Sequence, residues 1–113
     1  MNLPPALLAD LNAPNARDRD AAAEQLGDIL RWPSLTQHEA ETAVARLLTA
    51  TIEDPDDAVR ESALNAIGNA FERRDLPLHL VAGLGRVFGR DQGVARVRSL
   101  IQIIEARRWR PAR

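Results

Sequence analysis

Apolar residues in this chain recur at helical spacing. Between residues 56 and 73, Val59, Ala63, Ala66, Ile67 and Ala70 follow one another at steps of 4, 3, 1 and 3, which lays them along one face of a helix. Asp54, just before Pro55, offers an acceptor for the free amides of a first helical turn, and Pro55 suits the first helical position because it has no amide to leave unpaired. Asp56 and Asp57 then lie against the positive end of the helix dipole. A second face, formed by Ala40, Ala43, Val44, Leu47 and Leu48, runs through the segment "TQHEAETAVARLLTATI", and "LPLHLVAGLGRVF" is a further apolar segment. Strand signals are absent, so the fold class expected is all-α.

The helix-starting pattern occurs more than once. "LNAPNARDRDAAAEQLGDIL" aligns with "IEDPDDAVRESALNAIGNAF" at an offset of 41 residues: Leu11 meets Ile52, Pro14 meets Pro55, Arg19 meets Arg60, Ala22 meets Ala63, and Leu26-Gly27 meets Ile67-Gly68. A weaker copy, "FGRDQGVARVRSLIQII", is offset by 36 residues and puts Arg96 at the Arg60 position, Ser99 at Ala63 and Ile103 at Ile67. With the intervening amphipathic segments this makes three helix pairs, approximately residues 3–32, 34–73 and 76–109, in a single domain. A period near 40 residues with two helices per unit is the sign of a short alpha-solenoid.

The middle copy resembles the HEAT-repeat family, whose second helix starts with an Asp-Pro turn and continues with Val-Arg, spaced alanines and a Leu-Gly or Ile-Gly. Asp54-Pro55, Val59-Arg60, Ala63 and Ile67-Gly68 carry that pattern here. Two departures stand out: Asp18 replaces the valine in the first copy, and Ile104 replaces the glycine in the third. The resemblance implies that Arg19, Arg60 and Arg96 form a structural ladder with acidic residues in the turns, Asp54, Asp56 and Asp91 being the candidates. It also implies that Gly27, Gly68 and the alanines are small so that helices approach closely, and that the second helices line a concave partner surface.

Composition narrows the class. The 113 residues are 45% hydrophobic and 27% charged, enough for a core and unlike a disordered tail. No apolar run approaches the roughly 20 residues of a spanning helix, and no basic start followed by an apolar stretch suggests export, so the expected location is the cytoplasm. Cysteine is absent, which removes disulfide and thiolate chemistry. All 15 basic residues are arginine, and with 19 alanines they hint at a GC-rich bacterial genome. The net charge of −1 hides an asymmetry: residues 1–73 hold six arginines and thirteen acids, whereas residues 74–113 hold nine arginines and three acids.

Catalytic and metal chemistry find little support. "HEAET" has Thr42 where a zinc-protease helix needs its second imidazole, and His38 and His79 read as isolated histidines. "GLGRVFG" has the wrong spacing for a dinucleotide loop and follows no strand. Ser34, Ser62 and Ser99 have no histidine at a recognisable spacing. No catalytic residue, metal ligand or cofactor is therefore assigned. Trp32 and Trp109 each follow a second helix and precede a proline. Packing over the helix ends is the reading favoured for Trp32, and packing and interface anchoring stay open for Trp109.

Polar stripes suggest the function. Asp57, Glu61, Asn65 and Asn69 step by four along the second helix of the middle pair, and the offset of 41 maps the last three onto Asp20, Glu24 and Asp28. The expected partner site is an acidic groove made by these residues and bordered by Arg98 and Gln102. A solvated face gives the same pattern, but solenoid curvature favours a binding surface. The leading expectation is a monomeric, non-catalytic immunity protein that binds one cognate partner, a bacterial toxin domain with a basic surface. A nucleic-acid-binding or scaffold role for the Arg-rich end (Arg86, Arg90, Arg98, Arg107, Arg108, Arg110, Arg113) is the alternative, and an enzyme of unrecognised type the third reading. Against nucleic acid stand the near-neutral total charge and the absence of lysine.

Overall fold

The computed structural model describes residues 3–74, 76 and 77. They form four helices, α1 (Pro5–Asp10), α2 (Ala16–Ile29), α3 (Gln37–Glu53) and α4 (Asp57–Arg73), with no strand among the described residues. The third expected pair, with His79, Asp91, Arg96, Arg98, Gln102 and Trp109, lies outside them. No helix among the described residues is long and apolar enough to cross a membrane.

The three longer helices each start where a side chain accepts first-turn amides. Asn15 Oδ1 accepts from the Asp18 amide at 2.8 Å, while the Asn15 side-chain amide donates to Asp18 Oδ2 at 2.9 Å. The aspartate in the valine's place thus belongs to the α2 cap. Thr36 and Glu39 form a reciprocal capping box at α3. At α4 the cap is Asp56, whose Oδ1 accepts from Ala58 and Val59 at 2.9 and 3.1 Å. This corrects the expectation of a cap at Asp54 and a helical Pro55. Asp54 Oδ1 instead accepts the Asp56 amide at 2.9 Å, which turns the chain before the helix can begin. The two true caps, Asn15 and Asp56, still stand 41 residues apart.

Helix α4 packs against both α2 and α3, and α1 packs on α2. Three cross-links between α4 or its end and α2 or the turn after it join residues 42 apart: Ser62 to Asp20, Asn69 to Gly27 and Arg74 to Trp32. A constant separation means that α2 and α4 run parallel and in register. The apolar face Val59, Ala63, Ala66, Ile67 and Ala70 is at most 1% exposed. On α3, Ala40, Ala43, Val44 and Leu47 are buried and Leu48 is partly buried. Leu26, Leu30, Val44, Leu47, Val59 and Ile67 are the largest fully buried side chains; each large aliphatic contributes about 1.5–3 kcal/mol relative to exposure.

Polar ties hold the N-terminal segment. Glu39, buried on α3, accepts the Leu3 amide through Oε2 at 3.2 Å and the Thr36 amide through Oε1 at 3.0 Å. Arg46 Nη2 donates to the Leu8 carbonyl at 3.3 Å. The glutamate of "HEAET" therefore has a structural task.

Candidate partner-binding face

Because α2 and α4 are parallel and in register, small residues at matching heights let them approach closely. A Cβ built on Gly27 would lie 3.1 Å from Asn69 Nδ2 and 3.2 Å from both Cα and Cβ of Ala66. The gap is bridged by Asn69, whose Nδ2 donates to the Gly27 carbonyl at 3.3 Å and whose Oδ1 accepts from Arg31 Nη2 at 3.1 Å. Near the N-terminal ends the Ser62 hydroxyl donates to Asp20 Oδ1.

Between these two bridges lies a cleft of about 240 Å³, lined by Ala23, Glu24, Gly27 and Asp28 on α2 and by Ser62, Asn65, Ala66 and Asn69 on α4. Glu24, Asp28 and Asn65 are exposed, while Ala23, Gly27 and Ala66 are buried beneath them. One wall thus carries two carboxylates a helical turn apart, and the other carries neutral amides and a hydroxyl. The cleft offers acceptors for a cation or a hydrogen-bond donor.

Of the groove residues expected from the stripes, the structure brings Glu24, Asp28, Asn65 and Asn69 together at this cleft. Asp20 stands beside it, bonded to Ser62. Asp57 and Glu61 do not line it. A helix of 3.6 residues per turn rotates by about 40° for every four-residue step, so a stripe running from Asp57 to Asn69 has turned by about 120° along its length. Asp57 is 90% exposed and forms an ion pair with Arg60. Ser62 and Arg31 were missed as members of this face. Ser62 lies seven residues before Asn69 and so shares its side of the helix, a signal present in the spacing.

The arginines at matching positions differ. Arg19 Nε donates to Asp54 Oδ2 at 2.8 Å and its Nη2 to Asp54 Oδ1 at 3.3 Å, while Nη1 reaches the carbonyls of Ala13 and Pro14 at 2.9 and 3.2 Å. Arg60 Nη1 donates to the Asp54 carbonyl at 2.8 Å, the counterpart of the Arg19 bond to Ala13. Asp56, a candidate acceptor for these arginines, caps α4.

Trp32 departs from the packing expected of it: it is 48% exposed. Its backbone is nonetheless fixed, since its amide donates to Ile29 at 2.9 Å and its carbonyl accepts from Arg74 Nη2 at 2.7 Å. The chain leaves α2 here in a short turn, and no helix among the described residues covers the indole. His38 is likewise exposed. No group of three or more His, Asp or Glu side chains among the described residues is placed to hold a metal ion.

Comparison with protein-family models, curated proteins and solved structures finds no match to the chain.

Proposed function

We propose that this chain is a HEAT-like protein-binding module of the immunity type, a non-catalytic cytoplasmic protein that neutralises one cognate bacterial toxin by direct binding through the α2–α4 face. The single observation that carries the reading is the cleft with Glu24 and Asp28 on one wall and Asn65 and Asn69 on the other. The parallel, in-register α2 and α4 also support a HEAT-like repeat, because equivalent second helices stacked side by side keep a constant residue separation. The Arg19–Asp54 pair, which joins α2 to the turn before α4, is the kind of contact that locks one repeat onto the next.

An acidic face suits a basic partner, and a toxin with a basic substrate cleft would be occluded by it. Long-range attraction speeds such encounters, and clustered charges act together where single rim charges are weak. The test is affinity purification from source cells with the unaltered chain and with the Glu24→Lys, Asp28→Lys double variant. The reading expects one stoichiometric protein that is lost with the variant and whose toxicity the unaltered chain relieves. Recovery of nucleic acid without a protein partner would overturn it in favour of the Arg-rich end.

A further inference from the structure

We infer that the α2–α4 cleft is a socket for one arginine side chain of the partner, an inference that rests on the reading of this face as the binding surface and narrows it to a chemical group. The acids around the cleft divide into two sets. Asp20 is held by Ser62, Asp54 by Arg19 and Asp57 by Arg60. Glu24 and Asp28 are exposed, line the same cleft, and have no hydrogen bond or ion pair among the described residues. They are the carboxylates still open to an incoming cation.

A separate observation selects guanidinium over other cations. Asn69 Oδ1, on the opposite wall, already accepts a hydrogen bond from the guanidinium of Arg31 at 3.1 Å. The chain's own arginine thus occupies one end of the cleft and shows that this wall takes that group. Further toward the helix N-termini, between Glu24 and Asp28 on one side and Asn65 on the other, the same kinds of acceptor recur without an arginine from α2 or α4. A planar fork of donors reaches acceptors on two walls at once, whereas an ammonium is a compact, strongly hydrated point charge. The methylene stem of an arginine would lie over the small residues Ala23, Gly27 and Ala66, which leave the space for it.

The capped tripeptide acetyl-Gly-Arg-Gly-amide tests the socket directly, titrated into the isotope-labelled full chain while backbone amide resonances are followed. The expected result is saturable shifts centred on Glu24, Gly27, Asp28, Asn65 and Asn69, with a dissociation constant on the order of 1–10 mM for a single side chain. The lysine peptide should bind about five-fold more weakly or worse, and the neutral citrulline peptide not at all. Glu24→Gln with Asp28→Asn should abolish the shifts, and so should Asn65→Phe, which fills the cleft from an exposed position and keeps both carboxylates. Equal affinity for arginine and lysine, shifts spread over the remote acids Asp10, Glu41 and Glu53, no saturable shift, or binding that survives Asn65→Phe would each overturn the socket. No partner protein is present in this titration. A partner captured through the face without arginine preference therefore removes the socket alone, whereas arginine-selective shifts with no protein captured remove the partner reading alone.

Discussion

Arg19 grips both carboxylate oxygens of Asp54, 35 residues further along the chain, and with its remaining nitrogen holds the carbonyls that precede its own helix. The pair has side chains only 14% and 6% exposed, so it is largely shielded from water. Removing the arginine leaves a nearly buried carboxylate and two carbonyls without their donor. Arg19→Ala should therefore lower stability by about 2–4 kcal/mol, read as a shift of the urea unfolding midpoint. Arg19→Lys should recover less than half of that loss, because a point charge cannot reproduce the fork. An unaltered midpoint for Arg19→Ala would show that the pair does not hold α2 to the α3–α4 turn.

Arg60 holds the matching position but a different load. Its acidic partner Asp57 is 90% exposed, and its other bond goes to the Asp54 carbonyl. Arg60→Ala should cost about 1 kcal/mol, clearly less than Arg19→Ala, and should leave partner affinity nearly intact. Full stability combined with lost binding would reassign Arg60 to the interface.

The repeated helix-starting pattern was legible in the sequence for a local reason. Caps, alanines and the apolar face act within a few residues of each other, and they recur at the same offset. The cap itself fell on Asp56 because Asp54 is drawn to Arg19 on another helix, a preference that residues 52–60 alone do not reveal. The groove was legible where two stripes meet, at Glu24, Asp28, Asn65 and Asn69. It was overextended to Asp57 and Glu61 because steps of four drift around a helix. The exposure of Trp32 depends on what packs against a turn, and neither neighbouring residues nor the following proline encode that.

Gly27 tests the close approach of α2 and α4. An added methyl gains about 1 kcal/mol of helix propensity but crowds Asn69 and both Cα and Cβ of Ala66, a cost of about 1–3 kcal/mol. Gly27→Ala should be net destabilising by about 1 kcal/mol, and in an Asn69→Ala background the penalty should shrink, since one of the three crowding atoms is gone. Equal penalties in both backgrounds would place the strain elsewhere.

Trp32 should behave as a surface residue in the free protein. Trp32→Ala is expected to change stability by less than about 0.5 kcal/mol. In a Trp109→Phe background its emission should be that of a solvated indole, open to quenching by acrylamide. A blue-shifted, protected emission would mean that the indole is covered.

The binding role of the α2–α4 face is tested most directly by the association rate of the captured partner as a function of ionic strength, measured for the unaltered chain and for folded Glu24→Lys, Asp28→Lys protein. The account predicts a rate that falls steeply with salt for the unaltered chain, and for the variant a rate about ten-fold lower or more at low salt with a flattened dependence. The same rate and the same salt slope for both proteins would contradict it.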